Sequence, residues 1–241
     1  GAFLGDVTAL QALLEIGRSD QHPFQLNAVK SLGSLPESPR IGRILGQLLD
    51  SPNNLVRLEA YRILTKYKDH GRFFTEDVAG RFKIDVVPSN APAMVYATQA
   101  GQARIAVFGK NPALRMPIMF TALDSRLTFS EDSRDPTRLS VFYRPKFGQP
   151  LSFSCRPELV DVVRWLGSDG DRACNLSYTE VVGVLAKLST RQDMDASFVL
   201  QEIPTIRRMV DDAPVIPDRG APTTKPAAAA SDVPPIGIRP Q

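Results

Sequence analysis

The sequence predicts an α+β protein: α-helical hairpin repeats first, then a strand-rich α+β domain, then a Pro/Ala-rich tail. Three observations carry this. A segment near the N-terminus recurs, the apolar period changes after residue 80, and the composition shifts again after residue 210.

The recurring segment is "LLDSPNNLVRLEAYRILTKY", Leu48 to Tyr67. Moved back by 32 positions it falls without a gap on "IGRSDQHPFQLNAVKSLGSL". Ser51 then aligns with Ser19, Val56 with Phe24, Leu58 with Leu26, Ala60 with Ala28, Arg62 with Lys30 and Leu64 with Leu32. In both copies the apolar residues are spaced by three and four, which gives a helix one apolar face. A further amphipathic segment precedes each copy, "VTALQALLEIGR" and "SPRIGRILGQLLD", so the repeating unit is a helix pair. Pro23 and Pro52 fall just before the second helix of each pair, where a missing N–H costs little. Neither pair can bury its apolar face alone, and stacking lets neighbours cover one another.

The run of leucines, then Asp50, Ser51 and Pro52, then Val56-Arg57, Ala60 and Leu64 resembles the HEAT-repeat family. The resemblance implies an alpha solenoid with an extended interaction surface, in which the small Ala28 and Ala60 sit where helices approach closely. About two repeats are visible where roughly three make a stable stack, so the stack is expected to continue ahead of Gly1. The opening "GAFLGD" has no initiating Met and no signal-peptide pattern, which agrees with that expectation. No stretch approaches the roughly 20 apolar residues needed to cross a bilayer as a helix.

After residue 80 the rhythm becomes one of two. In "RFKIDVV", Phe82, Ile84 and Val86 alternate with Lys83 and Asp85, the pattern of a half-buried strand. "AMVYAT" and "ARIAVFG" follow as a hairpin around "QAGQ", where Gly101 can take the positive φ of a tight turn. "PIMFTAL", "SRLTFS", "LSVFYR" and "PLSFSC" read as four more strands. "RPELVDVVRWLG" reads as a helix with Pro157 in its first turn, Gly167 as its stop and Trp165 as a core anchor towards the sheet. "LSYTEVVGVLAKLS" opens on Ser177 with Glu180 three residues on, a capping box. "DASFVLQEIPTIRRMV" mixes strand and helix character. The expected division is therefore residues 1–72 helical repeats, 80–210 strand-rich domain, and 211–241 a disordered tail too poor in apolar residues to offset its ordering entropy.

The chemistry-bearing residues are sparse. His22 and His70 lie in separate turns and build no metal or catalytic pair. Cys155 and Cys174 match no zinc or redox spacing; they bracket the Pro157–Gly167 helix, so they pair as a disulfide in an oxidising compartment or stand as unrelated buried and loop thiols. Gly109-Lys110 is followed by Asn111 rather than the Ser or Thr of a P-loop, and "SDGDR" lacks the ligand spacing of a calcium loop. No catalytic, cofactor or metal constellation is visible, so the chain reads as a non-enzyme without cofactor. With a net charge of +3 over 241 residues, and Lys and Arg matched by Asp and Glu in the helical part, it is not a general nucleic-acid clamp. One basic cluster, Arg57, Arg62, Lys66, Lys68 and Arg72, is read as a solvated helix face and a candidate interaction face.

A second resemblance spans Asn53 to Leu200. Val56-Arg57 with Ala60 and Arg62, "VVPS" at Val86 to Ser89, "VYAT" at Val95 to Thr98, "ARIAVFG" and "SYTEVVGVL" together are similar to the C-terminal region of HEAT-containing flagellar P-ring-like proteins. That resemblance implies a non-enzymatic structural module at the C-terminal end of a larger bacterial envelope protein, in the periplasm or cell envelope, with a protein partner. Without it, the alternative is a cytoplasmic HEAT-repeat adaptor whose basic face touches nucleic acid.

Overall fold

Four helices open the chain as two hairpins. α1 (Val7–Arg18) pairs with α2 (Gln25–Leu32), and α3 (Pro39–Leu48) with α4 (Asn54–Leu64). Ser38 caps α3 by accepting the Ile41 N–H, with Pro39 in the first turn; Asn53 caps α4 by accepting from Leu55 and Val56. Across the hairpins, α1 meets α3 and α2 meets α4. The α2–α4 approach is close: a Cβ on Gly33 would lie 2.6 Å from Ile63 Cγ1. Ala28 and Ala60 are both buried, as their small size predicts. Two aligned pairs diverge: Ser51 and Val56 are buried, while Ser19 is exposed and Phe24, just ahead of α2, is 60% exposed.

The computed structural model describes residues 7–67, 71–170 and 172–202, all within one compact unit, Gly1–Ile203. The expected tail, 211–241, lies outside the described residues, as do Lys68 and His70. Within that unit the protein is mixed α+β, with six helices and two sheets among the described residues. It is not a helical solenoid. Beyond α4 the chain enters a sheet, and that sheet covers the face of α4 a third hairpin would otherwise cover.

The first sheet contains β1 (Phe74–Val78), β2 (Phe82–Val87), β3 (Met94–Ala97), β4 (Arg104–Phe108) and β9 (Ser197–Leu200), in the order β1-β2-β4-β3-β9. β2 runs parallel to β4, and β3 pairs antiparallel with β4 through the turn where Gly101 has φ +80°. β1 lies in the interval between the two expected domains; its "FTEDV" has no alternation, and it forms an edge with one buried residue, Val78. The ambiguous segment from Asp195 is strand over Ser197–Leu200, beside β3.

Both faces of this sheet are covered. Phe82, Ile84, Val95, Ala97, Ile105 and Val107 join one core with α5 (Leu159–Gly167) and α6 (Tyr178–Thr190). Val87, Met94, Tyr96, Ala106 and Phe108 join the other with the four N-terminal helices. The apolar core of the helices thus crosses the expected 72–80 boundary.

A second antiparallel sheet, β5 (Met119–Ala122), β6 (Leu127–Glu131), β7 (Leu139–Tyr143) and β8 (Leu151–Cys155), packs its Phe120, Leu127, Phe129, Leu139 and Val141 into the first core. Its other face is mostly hydroxyls, from Thr121, Thr128, Ser130, Ser140, Ser152 and Ser154. α5 begins at Leu159, two residues after Pro157, whose carbonyl instead accepts the Leu114 N–H at 2.8 Å. The capping box of α6 is present: Ser177 and Glu180 each satisfy the other's backbone N–H. Trp165 packs against Phe153, ring centroids 5.8 Å apart, tying α5 to the second sheet.

Candidate functional site

The basic cluster does not form one face. Arg57 is fully buried, because the side of α4 that carries it is covered by the sheet and the 88–93 connection. Its Nη1 donates to the Pro92 carbonyl at 2.8 Å and its Nη2 to Asn54 Oδ1 at 2.7 Å, while the guanidinium lies over the Phe108 ring. Nε has no hydrogen-bond partner among the described residues, and burial lowers the Arg57 pKa despite Asp50 nearby. Arg57 is therefore a clamp on the connection between β2 and β3. Ser89 assists by donating to the Leu49 carbonyl at 2.8 Å, and Asp50 accepts the Asn90 N–H at 2.6 Å. Arg72 lies across Gly46 of α3, where an added Cβ would come within 2.6 Å of its Nε.

Arg62 and Lys66 do reach the surface, at the C-terminal end of α4. They line an open cleft of about 340 Å³ between α4 and the first sheet, together with Tyr96, Gln102, Arg104 and Gln201. Beneath it lies a polar cluster that sequence reasoning missed. Asp85 is fully buried, although the alternation of β2 assigns it to an open face. It accepts from Tyr61 Oη, from Thr75 Oγ1 at 2.6 Å and from Arg104 Nη1 at 2.5 Å. Burial, then the neighbouring Asp85 carboxylate, pushes the Tyr61 phenol up, so it stays a donor. Burial opposes the charge on Arg104, but Asp85 and Tyr61 outweigh it and hold the guanidinium more firmly protonated. The cluster joins α4 to β1, β2 and β4.

The cleft is left rich in donors. Gln201 Oε1 accepts the N–H groups of Gln99 and Ala100 at 2.9 and 3.2 Å, and Gln102 Oε1 accepts from Arg104 Nη2 at 3.0 Å. Thr98 Oγ1 accepts the Arg104 N–H at 2.9 Å. Glu59 is engaged by Arg62 at 2.7 Å. The carboxamide oxygens are thus occupied. The amide nitrogens of Gln102 and Gln201 and the ammonium of Lys66 have no partner among the described residues. Such a lining suits a ligand that presents hydrogen-bond acceptors and negative charge.

The remaining predicted positions lie elsewhere. Cys155 and Cys174 are free thiols buried in the same core, and burial pushes both up to about 12. His22 Nδ1 accepts the Phe24 N–H at 3.2 Å in the turn before α2. Gly109 and Asn111, both with positive φ, form the turn after β4, and Asp169 of the "SDGDR" loop pairs with Arg81 at 2.6 Å. The chain matches no family model, no curated protein and no solved structure.

Proposed function

We propose that the chain is a non-enzymatic protein-interaction module that receives an acidic segment of a partner protein in the cleft between α4 and the first sheet. The observation that carries this reading is the imbalance of the lining's glutamines and cations: the Gln102 and Gln201 oxygens are engaged within the fold, while their amide nitrogens and the Lys66 ammonium have no partner among the described residues. The buried charges of Arg57 and Asp85 support it, since both are used to hold helices and sheet in register rather than aimed into a cavity. In this reading the two hairpins are HEAT-like repeats. The resemblance to flagellar P-ring-like proteins supports placing the module near the C-terminal end of a larger bacterial envelope protein. The nucleic-acid adaptor is the weaker reading, because Arg57 is withdrawn into the core and Arg62 and Arg104 are paired.

The test is binding of a fluorescent oligo-glutamate peptide, with an oligo-glutamine peptide as control. The acidic peptide is expected to bind, more weakly as salt rises. The double variant Arg62→Glu/Lys66→Glu should lower its affinity roughly tenfold or more. Equal binding of both peptides, or no effect of the double variant, would remove the proposal. Fractionation of source cells tests the placement: a species far heavier than this chain in the envelope supports it, and a cytosolic species of this size removes it.

A further inference from the structure

The connection between β7 and β8 spans residues 144–150, longer than the 123–126 turn beside it at the same end of the second sheet. Phe147 stands at the middle of this longer loop and is 92% exposed. Lys146 is its neighbour and Arg144 stands at the base of the loop, both exposed. Among the described residues neither cation side chain has a hydrogen-bond or ion-pair partner. From Leu139 to Cys155 the sequence contains no Asp or Glu. At that end of the sheet Asp124 is exposed in the shorter turn, and Arg126 is engaged by Glu180.

The loop is also held in place. The Arg144 N–H donates to the Arg126 carbonyl at 2.7 Å, Pro145 and Pro150 restrict its two ends, and Gly148 turns the chain with φ +106°. A fixed projection with an aromatic apex, and with cations towards its base, matches the layering of a membrane surface. The ring meets acyl chains while the ammonium and guanidinium remain among the headgroups.

We infer that the β7–β8 loop is a docking point for an anionic lipid surface, with Phe147 entering the interface and Arg144 and Lys146 contacting the lipid headgroups. A bilayer needs no shape-matched pocket around the ring, and the loop provides none. Single-stranded nucleic acid also uses aromatics and cations, but its platforms stack successive bases along a basic groove. Here one ring stands at an apex with two unpaired cations.

The experiment is cosedimentation of the whole chain with phosphatidylcholine vesicles, with and without phosphatidylserine. Binding is expected only with phosphatidylserine and should weaken at high salt. Phe147→Ala should lower partitioning roughly tenfold, and Arg144→Ala and Lys146→Ala about fivefold each. Phe147→Trp should keep the binding and shift its emission to shorter wavelength on vesicles, relative to the parent that contains only Trp165. All three positions are exposed, so an unchanged melting temperature of the four variants verifies the fold. Absence of binding to phosphatidylserine vesicles, or equal binding by Phe147→Ala, would overturn the inference. So would binding of a single-stranded oligonucleotide, but not vesicles, in a manner that depends on Phe147.

Discussion

Replacing Asp85 with Ala tests whether the helices and the first sheet are one cooperative structure. The carboxylate is fully buried and serves three donors: Tyr61 Oη, Thr75 Oγ1 and Arg104 Nη1. Its removal leaves Arg104, whose side chain is only 16% exposed, without its counter-charge. Breaking a buried pair from one side costs about 3–5 kcal/mol, and the Arg104 side of this pair retains some access to water, which favours the lower end of that range. The stranded Tyr61 hydroxyl adds roughly 1 kcal/mol or more. A total near 4 kcal/mol corresponds to a fall in Tm of about 8–16 °C for a chain of this size. Tyr61→Phe alone should cost only about 1–2 kcal/mol, and less again in the Asp85→Ala background, because its partner is already gone. The assay is chemical denaturation followed both by far-UV circular dichroism and by Trp165 fluorescence. The parent should show one coincident transition, since the helix core includes Met94, Tyr96, Ala106 and Phe108 of the sheet. A loss under about 1 kcal/mol for Asp85→Ala, or separate transitions in the parent, would refute the reasoning.

Three other outcomes are expected. Gly167→Ala should destabilise by about 1–3 kcal/mol in a thermal melt, because its Cβ would lie 2.4 Å from Phe82 Cζ and 2.9 Å from Val78 Cγ1. Glu180 lies below its ordinary value; burial opposes this, but the Ser177 hydrogen bonds and Arg126 outweigh it. A depressed carboxylate stabilises the fold above its unfolded pKa and loses that contribution as pH falls through the folded value. Glu180→Gln should therefore lower Tm at neutral pH, with the gap to the parent closing as the pH is taken below about 4. Cys155 and Cys174, held as buried thiols near 12, should resist a disulfide-exchange reagent at mildly alkaline pH until the protein unfolds; reaction of either in the native state would contradict their burial.

Local order was legible wherever it depends on neighbours in the chain. The helix of "VTALQALLEIGR" occupies Val7–Arg18, the alternation from Phe82 marks β2, and the capping box at Ser177 is made. These signals follow from helical and strand periods and from bonds made within one turn. β1 was illegible because an edge strand with one buried residue needs no alternation. The basic cluster misled for a related reason: helical period places Arg57 and Arg62 on α4, but the period alone does not reveal that the second sheet face is covered.

The α+β class, the helix pairs and most of the strands were already written in the order of residues, because period and capping are properties of short segments. Tertiary structure alone decided the strand order β1-β2-β4-β3-β9, the burial of Arg57 and Asp85, and the donor-rich cleft beside α4. Those features exist only once the helices lie across the sheet. Whether a charged side chain is solvated or clamped then depends on what covers it, and that covering comes from residues distant in the chain.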